Sequence, residues 1–289
     1  MLKWIVAAMA LMPLSGFAAD AAATCKVGVQ LYSFRNDLDK DLPGTLARIK
    51  KLGVNCVEPY SLHKLKAEQL RAEFDRAGLK VMSFHLPGEL RDGDPAEAVR
   101  VAKVLGAQQL GIAWIKESDT DVVNGSKLMA AASRLNGMCP AAKAAGLKVF
   151  YHPHGYEFHE GDPEGKLFER FVNALEKDCV VLQLDAFWVA YAGQDPVKFM
   201  QKYGNRVSSY HVKDMAPSLT VAPFDGSKWK GPLPDEAFAP LGKGKIDQVA
   251  LIKLGKQYKI KWFILEDETS HPYDNIALAL PYMKANGLE

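Results

Sequence analysis

The stretch LKVFYHPHG, residues 147–155, is the one whose reading decides the fold. Its apolar run, Val149, Phe150 and Tyr151, passes directly into two histidines, and AAG at 144–146 ends the helix-like stretch before it. The tetrapeptide AGLK stands at 145–148 and again at 77–80, each time reading as helix, glycine stop and next strand. The apolar run is continuous rather than alternating, as expected of a strand buried on both faces of a parallel sheet.

Outward from this point the same unit recurs. Apolar runs at 26–34, 54–60, 79–88, 107–115, 147–155, 180–189, 206–215 and 261–268 predict eight strands. The amphipathic stretches at 42–53, 65–78, 94–106, 124–146, 163–177, 195–204, 246–260 and 275–287 predict the returning helices. Several open on an aspartate followed by proline at the first helical turn, at Asp41, Asp94, Asp162 and Asp195. Aspartate accepts bonds from the free first-turn amides, and proline there loses none. Eight strand–helix units predict an α/β fold, a (β/α)8 TIM barrel in one domain. An open doubly wound sheet would show a glycine-rich G-x-G-x-x-G turn after its first strand, and YSFRND at 32–37 is nothing like one.

Residues 1–19 read as a signal peptide: Lys3, an apolar core to Phe17, then Gly16 and Ala18 as a small-x-small cleavage pattern. The expectation is a periplasmic or secreted protein, free of the membrane after cleavage, with the barrel spanning 26–289. The Pro- and Gly-rich segment 215–245 is expected to cover the barrel mouth and is the candidate contact with a second copy in a homo-oligomer. The formal charge of +2, with no dense Lys/Arg block, gives no footprint for nucleic acid and favours a small polar substrate. Cys25, Cys56, Cys139 and Cys179 are spaced too widely for a zinc knuckle. They allow three disulfide pairings among which the sequence does not choose, and the expectation is mostly buried, inert thiols.

A barrel carries its chemistry at the C-terminal ends of its strands. Those ends hold Glu58, His85, His152 with His154 and Glu157, Asp185, His211 with Lys213, and Glu266. Glu157, Asp185, His211 and Glu266 make the candidate metal set. Three carboxylates and one imidazole suit a single divalent ion, Mn²⁺ ahead of Mg²⁺ or Zn²⁺. An unpaired carboxylate at the end of an apolar strand is too costly to keep without a partner. His154 or His152 is the expected proton carrier, Glu58 the second, His85 a substrate-binding or acid group, and Lys213 a ligand for a substrate oxygen. Tyr32, Phe34, Tyr60, Trp114, Phe187 and Trp188 are candidates to stack on a sugar face, about half of them expected in the core. PLGKGKID at 240–247 reads as a tight turn into a helix capped by Asp247 rather than a phosphate grip.

LYSFR at 31–35, VEPY at 57–60, YHPHGYEF at 151–158, QLDAFWVAYAGQDP at 183–196, YHVKD at 210–214 and PLGKGKID at 240–247 resemble the xylose-isomerase-like barrels. This is the group of sugar isomerases and epimerases that also holds the endonuclease IV barrels. The resemblance implies one divalent metal held by a Glu, an Asp, a His and a second Glu, matching Glu157, Asp185, His211 and Glu266. It also shows a departure: where several members carry a strand-end Glu on the fifth strand, this chain has His152. Either His152 replaces that ligand or the metal takes Glu157. The implied chemistry is proton transfer beside the carbonyl of a sugar or keto-sugar, through an enediolate, giving an isomer or epimer. The H-x-H-x-x-E-F version resembles members acting on 3-keto-glycosides, which implies a lyase or hydrolase as the alternative. An endonuclease IV-type phosphodiesterase suits neither the charge nor the leader, and a non-catalytic sugar-binding barrel would not be expected to keep the full ligand set.

Overall fold

The structure, a computed structural model, describes residues 25–115, 125–158, 166–220 and 233–288. The signal segment expected at 1–19, the Asp162 cap and residues 221–232 of the long segment lie outside the described residues. The barrel strands are β1 (Val27–Gln30), β2 (Cys56–Glu58), β3 (Lys80–Val81 and Ser83–His85), β4 (Gln109–Ile112), β5 (Lys148–Tyr151), β6 (Val180–Asp185), β7 (Val207–Val212) and β8 (Trp262–Leu265). They pair in parallel in chain order, and β8 returns to β1. The ring closes through β3, whose first piece pairs with β2 and second with β4. Met82 between them joins both sides: its amide donates to the Val57 carbonyl at 3.0 Å and its carbonyl accepts from Gln108 at 3.0 Å. The TIM barrel read from the sequence is the fold.

The helices start where capping chemistry predicts. Asp41, Asp94, Asp195 and Asp247 accept from amides of their own first turns, at Gly44, Ala96, Val197 with Lys198, and Ala250. Every strand is shorter than its predicted run, and two of them pass directly into helical backbone. After Gln30 the chain coils into a 3-10 turn, Leu31–Phe34. β6 stops at Asp185, whose carboxylate accepts from the Trp188 amide at 3.0 Å and so starts a helix, Ala186–Tyr191. Among the described residues no helix is long and apolar enough to cross a membrane.

Most apolar burial lies between strands and helices. A small separate cluster, Cys56, Met82, Trp262 and Ile264, is buried apart from it. The cysteines correct the sequence reading: they are bonded, Cys25 to Cys56 and Cys139 to Cys179. Wide sequence spacing concealed this, because the fold brings the paired Cα atoms to 6.1 and 5.8 Å.

Candidate active site

Strand side chains alternate between faces, so residues two apart share the barrel interior. Along β7 this set is Ser209, His211 and then Lys213; on β8 and beyond its end it is Ile264, Glu266 and Glu268; on β6 it is Gln183 and Asp185. Register brings them level: Gln30 lies beside Glu58, and Asp185 beside His211. A β-bulge makes the second match. Leu182 pairs with Val207 but Gln183 with Ser209, so Ser208 is passed over. The extra residue re-phases β7, which turns Ser209 and His211 to the same side as Gln183 and Asp185.

Glu58 is the hub of the resulting polar floor. Its Oε1 accepts from Gln30 Nε2 at 2.8 Å, and His85 Nε2 and His211 Nε2 lie 2.9 and 2.6 Å from it. Its Oε2 accepts from the Ser83 hydroxyl and from Gln183 Nε2 at 2.8 Å. Burial pushes this carboxyl up, but the His85 and His211 imidazoles overcome that and hold it well below the usual range. Glu58 is fully buried and committed to five donors, which makes it a fixed anion rather than the mobile proton carrier the sequence suggested.

The second cluster gathers Asp185, His211, Lys213, Glu266 and Glu268. Lys213 Nζ stands 3.1 Å from Asp185 Oδ2, 3.0 Å from Glu266 Oε2 and 2.5 Å from Glu268 Oε1. Burial pulls the ammonium down, and the three carboxylates more than restore it, well above an ordinary lysine. His211 Nδ1 lies 2.9 Å from Glu266 Oε2. Burial lowers this imidazole too, yet Glu58 and Glu266 on its two nitrogens raise it to about 10, so both nitrogens carry protons at neutral pH. Lys213 and His211 likewise hold Glu266 low against its burial, whereas burial pushes Asp185 and Glu268 up.

Three of the four expected metal ligands converge: donor atoms of Asp185, His211 and Glu266 lie within 4.8 Å of one another. The donor chemistry fits a cation. Asp185 Oδ2 is buried and accepts no well-aligned hydrogen bond, and the Lys213 ammonium stands 3.1 Å from it. His152 Nε2 is 3.7 Å from the same oxygen. Glu157 is not brought to this cluster. Gly155, at φ +100°, turns the chain into the 3-10 turn Tyr156–Phe158, and the Glu157 carboxylate folds back onto the loop. There it accepts from Tyr151 Oη at 2.5 Å and from the amides of His154 at 3.2 Å and Gly155 at 2.8 Å. Burial raises it to about 7 despite those donors.

Above the floor opens a cavity of about 380 Å³, walled by Tyr32, Tyr60, Trp114 and Trp188 and reached by His85, His152, His154, Glu266 and Glu268. Phe34 and Phe187 lie in the core. His154 donates from Nδ1 to the Ala113 carbonyl, which leaves Nε2 as its acceptor nitrogen. Burial and Lys213 lower it to about 3, and His152 is lowered well below an ordinary histidine by burial and the neighbouring imidazoles, so both rings are neutral. At 240–247 the turn amides of Gly242, Gly244 and Ile246 all donate to the Asp214 carboxylate, so a carboxylate already fills that turn. Gln30, Ser83, Gln183 and Glu268 were not singled out from the sequence. Parity would have reached Gln183 and Glu268, each two residues from a named carboxylate.

A parallel barrel whose strand ends gather ionisable groups beneath an aromatic-walled cavity has the architecture of a barrel enzyme. The chain matches the family described as xylose isomerase-like TIM barrel over residues 46–285, and it belongs to that family. An inosose dehydratase of Clostridium beijerinckii is 24% identical over 197 residues, covering 63% of this chain and 64% of that protein. The chain spans less than two thirds of the length of the first curated relatives it matches. A sugar phosphate isomerase/epimerase from Parabacteroides distasonis superposes with a TM-score of 0.72 at 22% identity, covering 96% of this chain and 99% of that one. A xylose isomerase-like TIM barrel protein from Mycobacterium smegmatis, in complex with magnesium, superposes at 0.65 with 16% identity, covering 91% and 96%.

Proposed function

We propose that this protein is a divalent-metal-dependent lyase that eliminates a β-substituent from a keto-sugar or keto-cyclitol ring. The observation that carries the reading is the saturation of Glu58. An epimerase that inverts a carbon needs a second proton carrier on the opposite face, and the carboxylate expected to be it is buried under five donors and held anionic. Similarity to the inosose dehydratase of Clostridium beijerinckii supports the same class.

His154, neutral and presenting Nε2 as its acceptor, takes the carbon-bound proton beside the carbonyl. Asp185, His211, Glu266 and His152 would hold the ion, with Mn²⁺ favoured by the mixture of hard carboxylate oxygens and borderline imidazole nitrogens, and Glu157 serves the loop instead. When bound, the ion supplies Lewis-acid polarisation of the ring carbonyl. Lys213 keeps its ammonium and offers positive charge to a substrate oxygen. Glu268, a carboxyl raised by burial and lining the cavity, gives a proton to the departing hydroxyl. One proton leaves carbon, one reaches the leaving oxygen, and the sum is an unsaturated ketone and water. Tyr32, Tyr60, Trp114 and Trp188 form walls on which a sugar ring can stack.

We place the mature protein outside the cytosol; the leader-like N-terminus and two disulfides support this. The test is incubation of the Mn²⁺-loaded protein with ring ketones, keto-cyclitols and 3-keto-glycosides, in D2O. The expected result is deuterium entry beside the carbonyl together with an enone absorbance, both reduced about 10²–10⁴-fold in His154→Asn. Exchange with conversion to an isomer and no enone would favour the isomerase reading, in line with the Parabacteroides distasonis neighbour. No exchange with any ring ketone would sink both.

A further inference from the structure

We infer that Gln183 is a positioning residue whose side-chain amide fixes His152 as the Nδ1–H tautomer, so that Nε2 keeps its lone pair toward Asp185. Gln183 is fully buried on β6, two residues before Asp185 at the strand's end. Its Nε2 is 2.8 Å from Glu58 Oε2 and 3.1 Å from Ser209 Oγ. Its Oε1 is 2.7 Å from His85 Nε2 and 2.9 Å from His152 Nδ1.

These contacts leave the amide one orientation. An ionised carboxylate only accepts, so the NH2 group must face Glu58. The carbonyl oxygen then faces the two imidazoles, and a carbonyl only accepts, so each imidazole must present an N–H to it. His85 is protonated at Nε2, which also suits the Glu58 oxygen 2.9 Å away. His152 is protonated at Nδ1, and in the neutral ring Nε2 is then the acceptor. That atom is the one 3.7 Å from Asp185 Oδ2, at the edge of the Asp185–His211–Glu266 cluster. The bulge at Ser208 completes the device by bringing Ser209 beside Gln183 as a second acceptor for its NH2. One amide thus conveys the charge of Glu58 to the tautomer of a histidine it does not touch. Orienting a ligand imidazole through the hydrogen bond on its other nitrogen is a known way of tuning metal sites.

The use of that lone pair rests on the proposed metal-dependent reaction, whereas the tautomer itself does not, and the experiment separates the two. Long-range ¹H–¹⁵N spectra of the full protein labelled at histidine nitrogens, with His152 assigned by His152→Asn, should show a protonated Nδ1 and an unprotonated Nε2. In Gln183→Met, similar in length but without the carbonyl acceptor, the Nε2–H form should appear. Mn²⁺ affinity, followed by water-proton relaxation, should weaken about 10–100-fold in the same variant. A wild-type His152 protonated at Nε2 overturns the inference whether or not the variant folds, as does an unchanged tautomer in a folded Gln183→Met. Mn²⁺ binding by neither protein, with the tautomer as stated, would overturn the metal reading and leave the assignment of Gln183 standing.

Discussion

Replacing Glu157 with glutamine separates the loop role of this carboxylate from a place in the metal set. Glu157 is fully buried, and its oxygens are held by Tyr151 and the amides of His154 and Gly155. Its folded value, raised to about 7, exceeds the ordinary 4.5, so the folded state keeps the proton longer than the unfolded chain. That contribution is complete below about pH 4.5 and is lost as pH rises through about 7. At ~1.4 kcal/mol per pH unit, the gap from 4.5 to about 7 corresponds to about 3 kcal/mol. Glutamine stays neutral throughout, at a constant cost of about 1–3 kcal/mol for turning an NH2 toward a backbone amide that only donates. Urea unfolding of wild type and Glu157→Gln at several pH values from 5 to 8 should show the difference shifting by about 2.5 kcal/mol in favour of the variant as pH rises. Parallel stability curves would refute the reasoning. In the same pair Mn²⁺ affinity should change by less than about threefold, and abolished binding would return Glu157 to the ligand set.

Elemental analysis should find about one divalent ion per chain in wild type and none in folded Asp185→Ala or His211→Ala. Because His211 holds two ring protons at neutral pH, calorimetry in buffers of different ionisation heat should show about one proton released per ion bound; uptake without release would place His211 outside the site. Lys213→Met removes the ammonium shared by Asp185, Glu266 and Glu268. It should cost the ion-free protein about 3–5 kcal/mol, a Tm fall of roughly 8–16 °C. Since the folded lysine is raised above its ordinary value, its contribution is complete below about pH 10 and the loss should be present across pH 5–9. Cys139→Ala with Cys179→Ala opens a 40-residue loop and should cost about 4 kcal/mol in unfolding, with unchanged stability counting against the bond.

The barrel was legible because its signals are local: apolar runs repeat eight times, several of the helices between them start on an aspartate cap or end on a glycine stop, and none of these depends on distant contacts. The strand-end rule found the ionisable residues for the same reason. Glu157 misled because spacing along a strand loses meaning where the chain turns, and Gly155 turns it one residue past His154. Glu58 misled differently. Its position was right, but its protonation behaviour depends on Gln30, Ser83, Gln183, His85 and His211, supplied by four other strands. The disulfides are long-range in the same sense. The bulge at Ser208 left no signature either, since SSY at 208–210 reads as ordinary strand.

That bulge also explains why the site holds the charges it does. By re-phasing β7 it places His211 between Glu58 and Glu266, and Lys213, on the same parity, among Asp185, Glu266 and Glu268. Four carboxylates, Glu58, Asp185, Glu266 and Glu268, therefore face two cations, His211 and Lys213, leaving an excess of two negative charges if all are ionised. The protein shows where that excess is felt. Glu58 and Glu266, the carboxylates in contact with His211, are held low, whereas Asp185 and Glu268 are pushed up. A buried site with two unbalanced charges is costly unless protons or a cation offset them. A divalent ion that displaced the His211 proton would lower that excess from two to one. Asp185, pushed up by burial and with an Oδ2 that accepts no aligned hydrogen bond, is where an offsetting proton or cation has most effect.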